Sequence, residues 1–191
     1  FAVNEGEYKV MGLAAYGKPI HYDKLIKTMN FQNGDLNLDT DYYDFARSIQ
    51  RSYSFKLREL FGVNERSSNS KLEMNTPEFQ SYADIAASAQ KVVEKVLNKI
   101  FKYAHEITGE KIFIFSGGVA MNSVAINKLV DNDFVEKIII PPSPGDSGAA
   151  IGAAYYGYLN NNNYDDQIKN RLQDLSVLTP GVLNQENDSE E

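Results

Sequence analysis

Apolar positions along the chain switch between helical and extended spacing, and the switches mark its elements. The longest helical stretch follows Thr76-Pro77, a capping residue and the residue favoured at the first helical position. From Tyr82 through Ile85, Ala86, Ala89, Val92, Val93, Val96, Leu97, Ile100 and Phe101 to Ala104 the apolar side chains form one stripe. It predicts a helix ending at Thr108-Gly109, about thirty residues and roughly 45 Å long. Two short apolar runs follow. Ile112-Phe113-Ile114-Phe115, within a segment spanning residues 111–116, and the run at residues 134–140 contain little or no interposed polarity, which predicts strands buried on both faces. A helix from Val119 to about Val130 joins them, making a parallel βαβ unit.

Upstream the pattern is more broken. Val10, Met11, Leu13, Ala14 and Ala15 predict a short buried helix ended by Gly17 and Pro19, with a second helix over residues 22–29. Residues 31–39 read as a hairpin turning at Asn33-Gly34. Residues 42–61 carry a helical pattern interrupted near Ser52–Ser54 and stopped by Gly62, and residues 64–75 are a polar, mobile surface loop. Three prolines force residues 141–145 into an extended loop. Asp146-Ser147 then opens a helix over 148–159, whose alanines and glycines imply close approach to another backbone. The asparagine run at 160–163 and the tail at 185–191 read as frayed.

Composition narrows the function classes. The 191 residues are 42% hydrophobic, enough for one domain or one large lobe, and no apolar run reaches the length of a membrane-spanning helix. Phe1 in place of an initiating Met predicts a fragment or a processed piece. A net charge of -7 argues against a nucleic-acid backbone binder, and Lys91, Lys95, Lys99 and Lys102 read as one solvated helix face. The absence of cysteine rules out disulfides and thiolate metal sites and is compatible with a cytoplasmic setting. With His21 and His105 in different segments, a zinc or iron site built wholly within the chain is not expected.

Two loops carry candidate chemistry. Ser116-Gly117-Gly118 follows the first strand of the βαβ unit, and its turn amides together with the helix after it suit an anion such as a phosphate. Pro144-Gly145-Asp146-Ser147 follows the second strand, so both loops fall on the sheet edge where open α/β sheets bind ligands. Asp146 offers a carboxylate for a metal or a proton, or serves as a plain helix cap.

Four motifs then follow one another: GEYKVMGLAAYGKP at 6–19, DIAASAQ at 84–90, FSGGVAMNSVAINKL at 115–129 and PPSPGDSGAAIGAA at 141–154. In this order they resemble the NodU/CmcH-type O-carbamoyltransferases, the group that carbamoylates antibiotics such as tobramycin and the Nod factors. The resemblance covers most of residues 6–158. It extends more distantly to the family that transfers threonylcarbamoyl to tRNA, and through it to the actin/Hsp70/sugar-kinase fold.

The resemblance implies a helix-rich α/β fold, part of the second lobe of an actin-like domain. Residues 1–160 would be the C-terminal part of that transferase domain and 161–191 a polar, partly disordered tail. It also implies transfer of a carbamoyl group from carbamoyl-adenylate, made from carbamoyl phosphate and ATP in a separate YrdC-like domain, to a hydroxyl of a small molecule. Gly117, Gly118, Val119 and Asn122 match the nucleotide-contacting motif, and Glu7, Lys9 and Gly12 match the motif bordering the nucleotide. Asp146 matches the aspartate that completes a divalent, iron-like metal site. No catalytic residue is assigned. The family's HxxxH metal motif, its early glycine-rich strands and its YrdC-like domain have no counterpart here, so the chain is expected to be inactive alone. The strand at 112–116 is expected to present an open edge through which the chain self-associates. Two other classes remain open: a kinase or ATPase of the actin-like fold, and a non-catalytic nucleotide-binding module.

Overall fold

The Thr76 hydroxyl accepts the Phe79 N–H at 3.1 Å, and Pro77 opens the longest element of the chain. A computed structural model describes residues 6–48, 51–63, 66, 71–160 and 183–184. It divides into two compact units, Phe1–Ile107 and Thr108–Glu191.

The first unit begins with α1 (Glu7–Ala14), α2 (Tyr22–Leu25) and a 3-10 turn over Ile26–Thr28. Strands β1 (Met29–Gln32) and β2 (Asp35–Leu38) then pair antiparallel around Asn33-Gly34. Both turn residues take positive φ, 52° and 88°, as a two-residue hairpin requires. Helix α3 spans Phe55–Phe61 and ends at Gly62 in the left-handed conformation. Helix α4 spans Pro77–Thr108, and its buried stripe includes Ala83, Ala86, Ala87, Val92, Val96, Leu97 and Phe101. Leu25, Val92 and Val96 form a core against which Tyr22, Ile26, Met29, Leu57 and Phe61 pack.

Two expectations fail in this unit. Helix α1 forms but buries none of its residues fully: Val10, Met11, Leu13 and Ala14 are only half-buried among the described residues. The helical pattern at 42–61 gives a helix only from Phe55. Before it, the described residues form turns and an isolated antiparallel bridge between Tyr43 and Tyr53. The Thr28 and Tyr43 hydroxyls hydrogen-bond at 2.7 Å, so Tyr43 is anchored by polarity rather than by a helix stripe. Residues 64–65 and 67–70 of the polar loop, the asparagines at 161–163 and the tail at 185–191 lie outside the described residues.

The second unit is built on β3 (Ile112–Ile114) and β4 (Lys137–Ile139), paired parallel with Phe113 opposite Ile138. A two-residue strand, β5 (Leu183–Asn184), pairs antiparallel with β4, giving the order β3-β4-β5. Between β3 and β4 lie a 3-10 turn over Gly118–Met121 and α5 (Ser123–Val130), rather than one helix from Val119. Asn122 makes the break: its side chain accepts the Ala125 N–H at 3.0 Å and caps α5. Ala125, Ile126, Leu129, Val135 and Ile138 are fully buried. The last helix, α6, spans Gly148–Asn160.

The expectation that β3 is buried on both faces is corrected. Ile112 and Ile114 are 49% and 77% exposed. An apolar run predicts burial, but β3 is an edge strand of this sheet, and the described residues leave the face that carries Ile112 and Ile114 largely open. Along α6, residues 149–158 are likewise exposed although nearly all are apolar. Of its glycines, Gly148 alone is set close against a backbone, the Ser143 carbonyl, while Gly152 and Gly157 have open space at the Cβ position.

Candidate functional site

In the second unit the two glycine-bearing loops are joined by hydrogen bonds. The Gly117 N–H donates to the Pro144 carbonyl at 2.7 Å, and the Ser116 hydroxyl donates to the same oxygen at 3.1 Å. The loops after β3 and β4 therefore lie side by side at the C-terminal ends of parallel strands, as their order along the chain predicts. Gly117 adopts φ 104° and ψ 166°, a conformation open only to glycine. Its N–H faces the neighbouring loop and is engaged there. Any anion at this turn is left with the amides of Gly118 and Val119, which open the 3-10 turn and have no carbonyl within it to bond.

Gly118 differs from Gly117. Its φ is ordinary and a Cβ there would meet nothing within 4 Å. The fold of this unit gives no reason for glycine at 118, whereas close approach of a bound group to the backbone does. Val119 is 51% and Met121 61% exposed, so this turn presents an apolar rim. Asn122 has the structural duty of capping α5, which stands beside its implied nucleotide contact.

For Asp146, the backbone carbonyl accepts the Ala149 N–H at 3.1 Å. No hydrogen bond among the described residues engages its carboxylate, so side-chain capping of α6 does not account for the aspartate. Nor does Asp146 make a metal site by itself. Divalent ions take several nitrogen or oxygen ligands, and no group of three acidic, His or Cys residues among the described residues could hold one.

The other predicted residues, Glu7, Lys9 and Gly12, lie on α1 in the first unit. Glu7 accepts the Gly6 N–H at 3.1 Å, Lys9 sits over the Tyr8 ring at 5.6 Å, and Gly12 has open space around its Cβ position. The turn that follows α1 is clamped onto α4 by side chains that sequence reasoning assigned no role. Asp84 Oδ1 accepts the Lys18 N–H at 2.7 Å and Gln80 Nε2 at 2.8 Å, while Gln80 also donates to the Tyr16 carbonyl at 3.3 Å. The His21 N–H donates to the Ser88 hydroxyl at 3.0 Å, which in turn donates to the Asp84 carbonyl at 2.6 Å. Gly17 passes so near α4 that a Cβ would lie 1.9 Å from the Ala83 carbonyl oxygen. Polar residues at 80, 84 and 88, four apart on one helix face, were the available signal. Burial lowers the His21 pKa and Lys24 lowers it further, with Asp84 opposing. Its ring meets Phe61 edge-on at 5.4 Å.

Residues 1–155 match the family described as carbamoyltransferase N-terminus, and the chain is a member of that family. Over 166 residues it is 37% identical to the uncharacterized protein sll1178 of Synechocystis sp., covering 84% of this chain and 26% of the relative. It is 28% identical over 171 residues to nodulation protein NolNO of Sinorhizobium fredii, covering 88% and 22%, respectively. The nodulation protein NolO of Bradyrhizobium diazoefficiens is also 28% identical, over 148 residues, covering 78% and 24%. The chain thus spans about a quarter of the length of the curated relatives it matches. No helix among the described residues is long and apolar enough to cross a membrane.

Proposed function

We propose that the chain forms part of an O-carbamoyltransferase that moves a carbamoyl group from carbamoyl-adenylate to a hydroxyl of a small molecule in the cytoplasm. The adenylate derives from carbamoyl phosphate and ATP, and the chain contributes part of an actin-like lobe that holds it. The observation carrying this reading is the glycine turn tied to the Pro144 loop: Gly117 is required by the backbone, and Gly118 by nothing in the unit itself. The Gly118 and Val119 amides would hold the adenylate phosphate, fixing the carbamoyl carbon for attack by the acceptor. The acceptor oxygen bonds to that carbon as AMP leaves with the electrons of the acyl-phosphate bond, and the hydroxyl proton passes to a base. Asp146, whose carboxylate is unengaged among the described residues, is placed two residues beyond Pro144. The implied divalent ion would need ligands this chain lacks, and no step is assigned to it.

Titrating the 191-residue chain with AMP and following its amide resonances tests this. The Gly118 and Val119 amides should shift saturably. Gly118→Val should weaken binding by roughly tenfold or more while leaving stability within about 0.5 kcal/mol, whereas Gly117→Ala should cost about 1–3 kcal/mol of stability. Undiminished binding by Gly118→Val, or a response confined to the first unit, would overturn the assignment. With carbamoyl phosphate, ATP and a hydroxyl acceptor supplied, the chain alone should give no carbamoylated product; turnover would refute its dependence on missing parts.

A further inference from the structure

The glycine turn at 116–118 and the loop at 141–148 are joined at one oxygen atom, the Pro144 carbonyl. The Phe115 N–H bonds the Ile139 carbonyl at 2.9 Å, and beyond it two donors converge on Pro144. They are the Gly117 N–H at 2.7 Å and the Ser116 hydroxyl at 3.1 Å. Proline has no N–H, so the carbonyl is the one backbone hydrogen-bonding group that Pro144 can offer. An N–H is present at 117 whatever non-proline residue stands there. The hydroxyl is present only because residue 116 is serine. Ser116 is exposed among the described residues, so burial gives no reason for its small polar side chain at the end of an apolar run.

The loop held by this oxygen is tightly wound. Ser143 takes φ 52°, a left-handed conformation that is unfavourable for a residue other than glycine. Its carbonyl lies against Gly148, where a Cβ would come within 2.3 Å of the oxygen. The Gly148 N–H returns to the Gly145 carbonyl at 2.9 Å, and the Ala149 N–H to the Asp146 carbonyl at 3.1 Å. One end of the loop is thereby fastened to the start of α6 and the other to the glycine turn. Asp146 lies between these attachments. The Met121 methyl adds an apolar contact between the two segments, 3.5 Å from the Cβ position of Gly145. Pro144 therefore sets how the Asp146 loop lies relative to the Gly118 and Val119 amides.

We propose that Ser116 is a positioning residue, whose hydroxyl clamps the Asp146 loop to the glycine turn so that both present a fixed geometry to one bound phosphate ester. Ser116 touches no reacting atom and acts through Pro144. A loop ordered before the ligand arrives spares the binding step that ordering cost. This role rests on the proposed hold of Gly118 and Val119 on the adenylate phosphate.

The test compares wild type, Ser116→Ala and Ser116→Thr in the full 191-residue chain. Without ligand, the backbone order parameters of Gly145 and Asp146 should fall in Ser116→Ala, from about 0.85 toward 0.6. They should stay at the wild-type level in Ser116→Thr, which keeps the hydroxyl. Titration with AMP, followed at the Gly118 and Val119 amides, should show binding about three- to tenfold weaker in Ser116→Ala, the usual net worth of one hydrogen bond. Ser116→Thr should restore most of that affinity, which separates the hydroxyl from a general effect of substitution. Wild type and Ser116→Ala binding AMP equally well would overturn the clamp and leave the phosphate assignment standing. Absence of AMP binding by wild type would overturn both. Unchanged order parameters in Ser116→Ala, or a loss that Ser116→Thr does not recover, would also overturn the clamp.

Discussion

His21 shows how one residue can make the first unit sensitive to pH. Its ring is half-buried against Phe61, with Lys24 nearby, so folding disfavours the protonated form and lowers its pKa. Because the folded pKa is below the unfolded one, the unfolded chain binds the proton first as pH falls. The stability contribution is complete above the unfolded value of about 6.5, and is lost as pH falls through the folded value. Urea midpoints measured at pH 7.5 and 5.5 should therefore fall with acidification in the wild type. His21→Gln should show a smaller fall. An identical pH dependence in the variant would show that His21 is not the group responsible.

At the scale of elements, the turn after α1 is fastened to α4 by a carboxylate and by the absence of a side chain. Asp84 receives two donors, and hydrogen bonds to a charged group contribute about 1.5–3 kcal/mol each. This carboxylate is only partly shielded, so the lower end of that range applies. Asp84→Ala should destabilise the chain by about 1–2 kcal/mol and speed hydrogen exchange at the Lys18 amide. Gly17→Ala should cost more, because the Ala83 carbonyl is backbone of a long helix and cannot step aside. The comparison is informative: Asp84→Asn, which keeps an acceptor, should recover part of the loss, while no small residue should rescue position 17. Equal exchange rates at Lys18 in wild type and Asp84→Ala would show that the carboxylate does not hold the turn.

At the scale of the whole chain, the apolar surface of the second unit is the feature most in need of a partner. The Lys111 carbonyl and the Phe115 N–H face β4, so by alternation the Ile112 and Ile114 backbone groups point to the opposite edge of β3. Their side chains are exposed too. Helix α6 is apolar around its circumference and exposed over residues 149–158, a pattern that belongs to a buried helix. Self-association through the β3 edge follows as a proposal. Sedimentation velocity should give an average mass that rises with concentration, and Ile114→Lys should shift the chain toward monomer. A monomer at every concentration would remove the idea.

Local chemistry makes much of this architecture legible in the sequence. Thr76-Pro77 and Gly109 bound α4, Asn33-Gly34 sets the hairpin, Gly62 stops α3, and two apolar runs around one helix give the parallel pair β3 and β4. Each depends on hydrogen bonds and periodicity within a few residues, which sequence order contains directly. The glycine turn was legible for the same reason, as was its place beside the Pro144 loop, since parallel strands put both loops at one edge. Three things depended on tertiary structure. The Gly117 amide is engaged by a carbonyl far along the chain, Asp84 clamps a turn 66 residues away, and the apolar run of β3 ends up exposed. Each is settled by which distant group arrives to bond or cover a residue, and neither spacing nor composition records that.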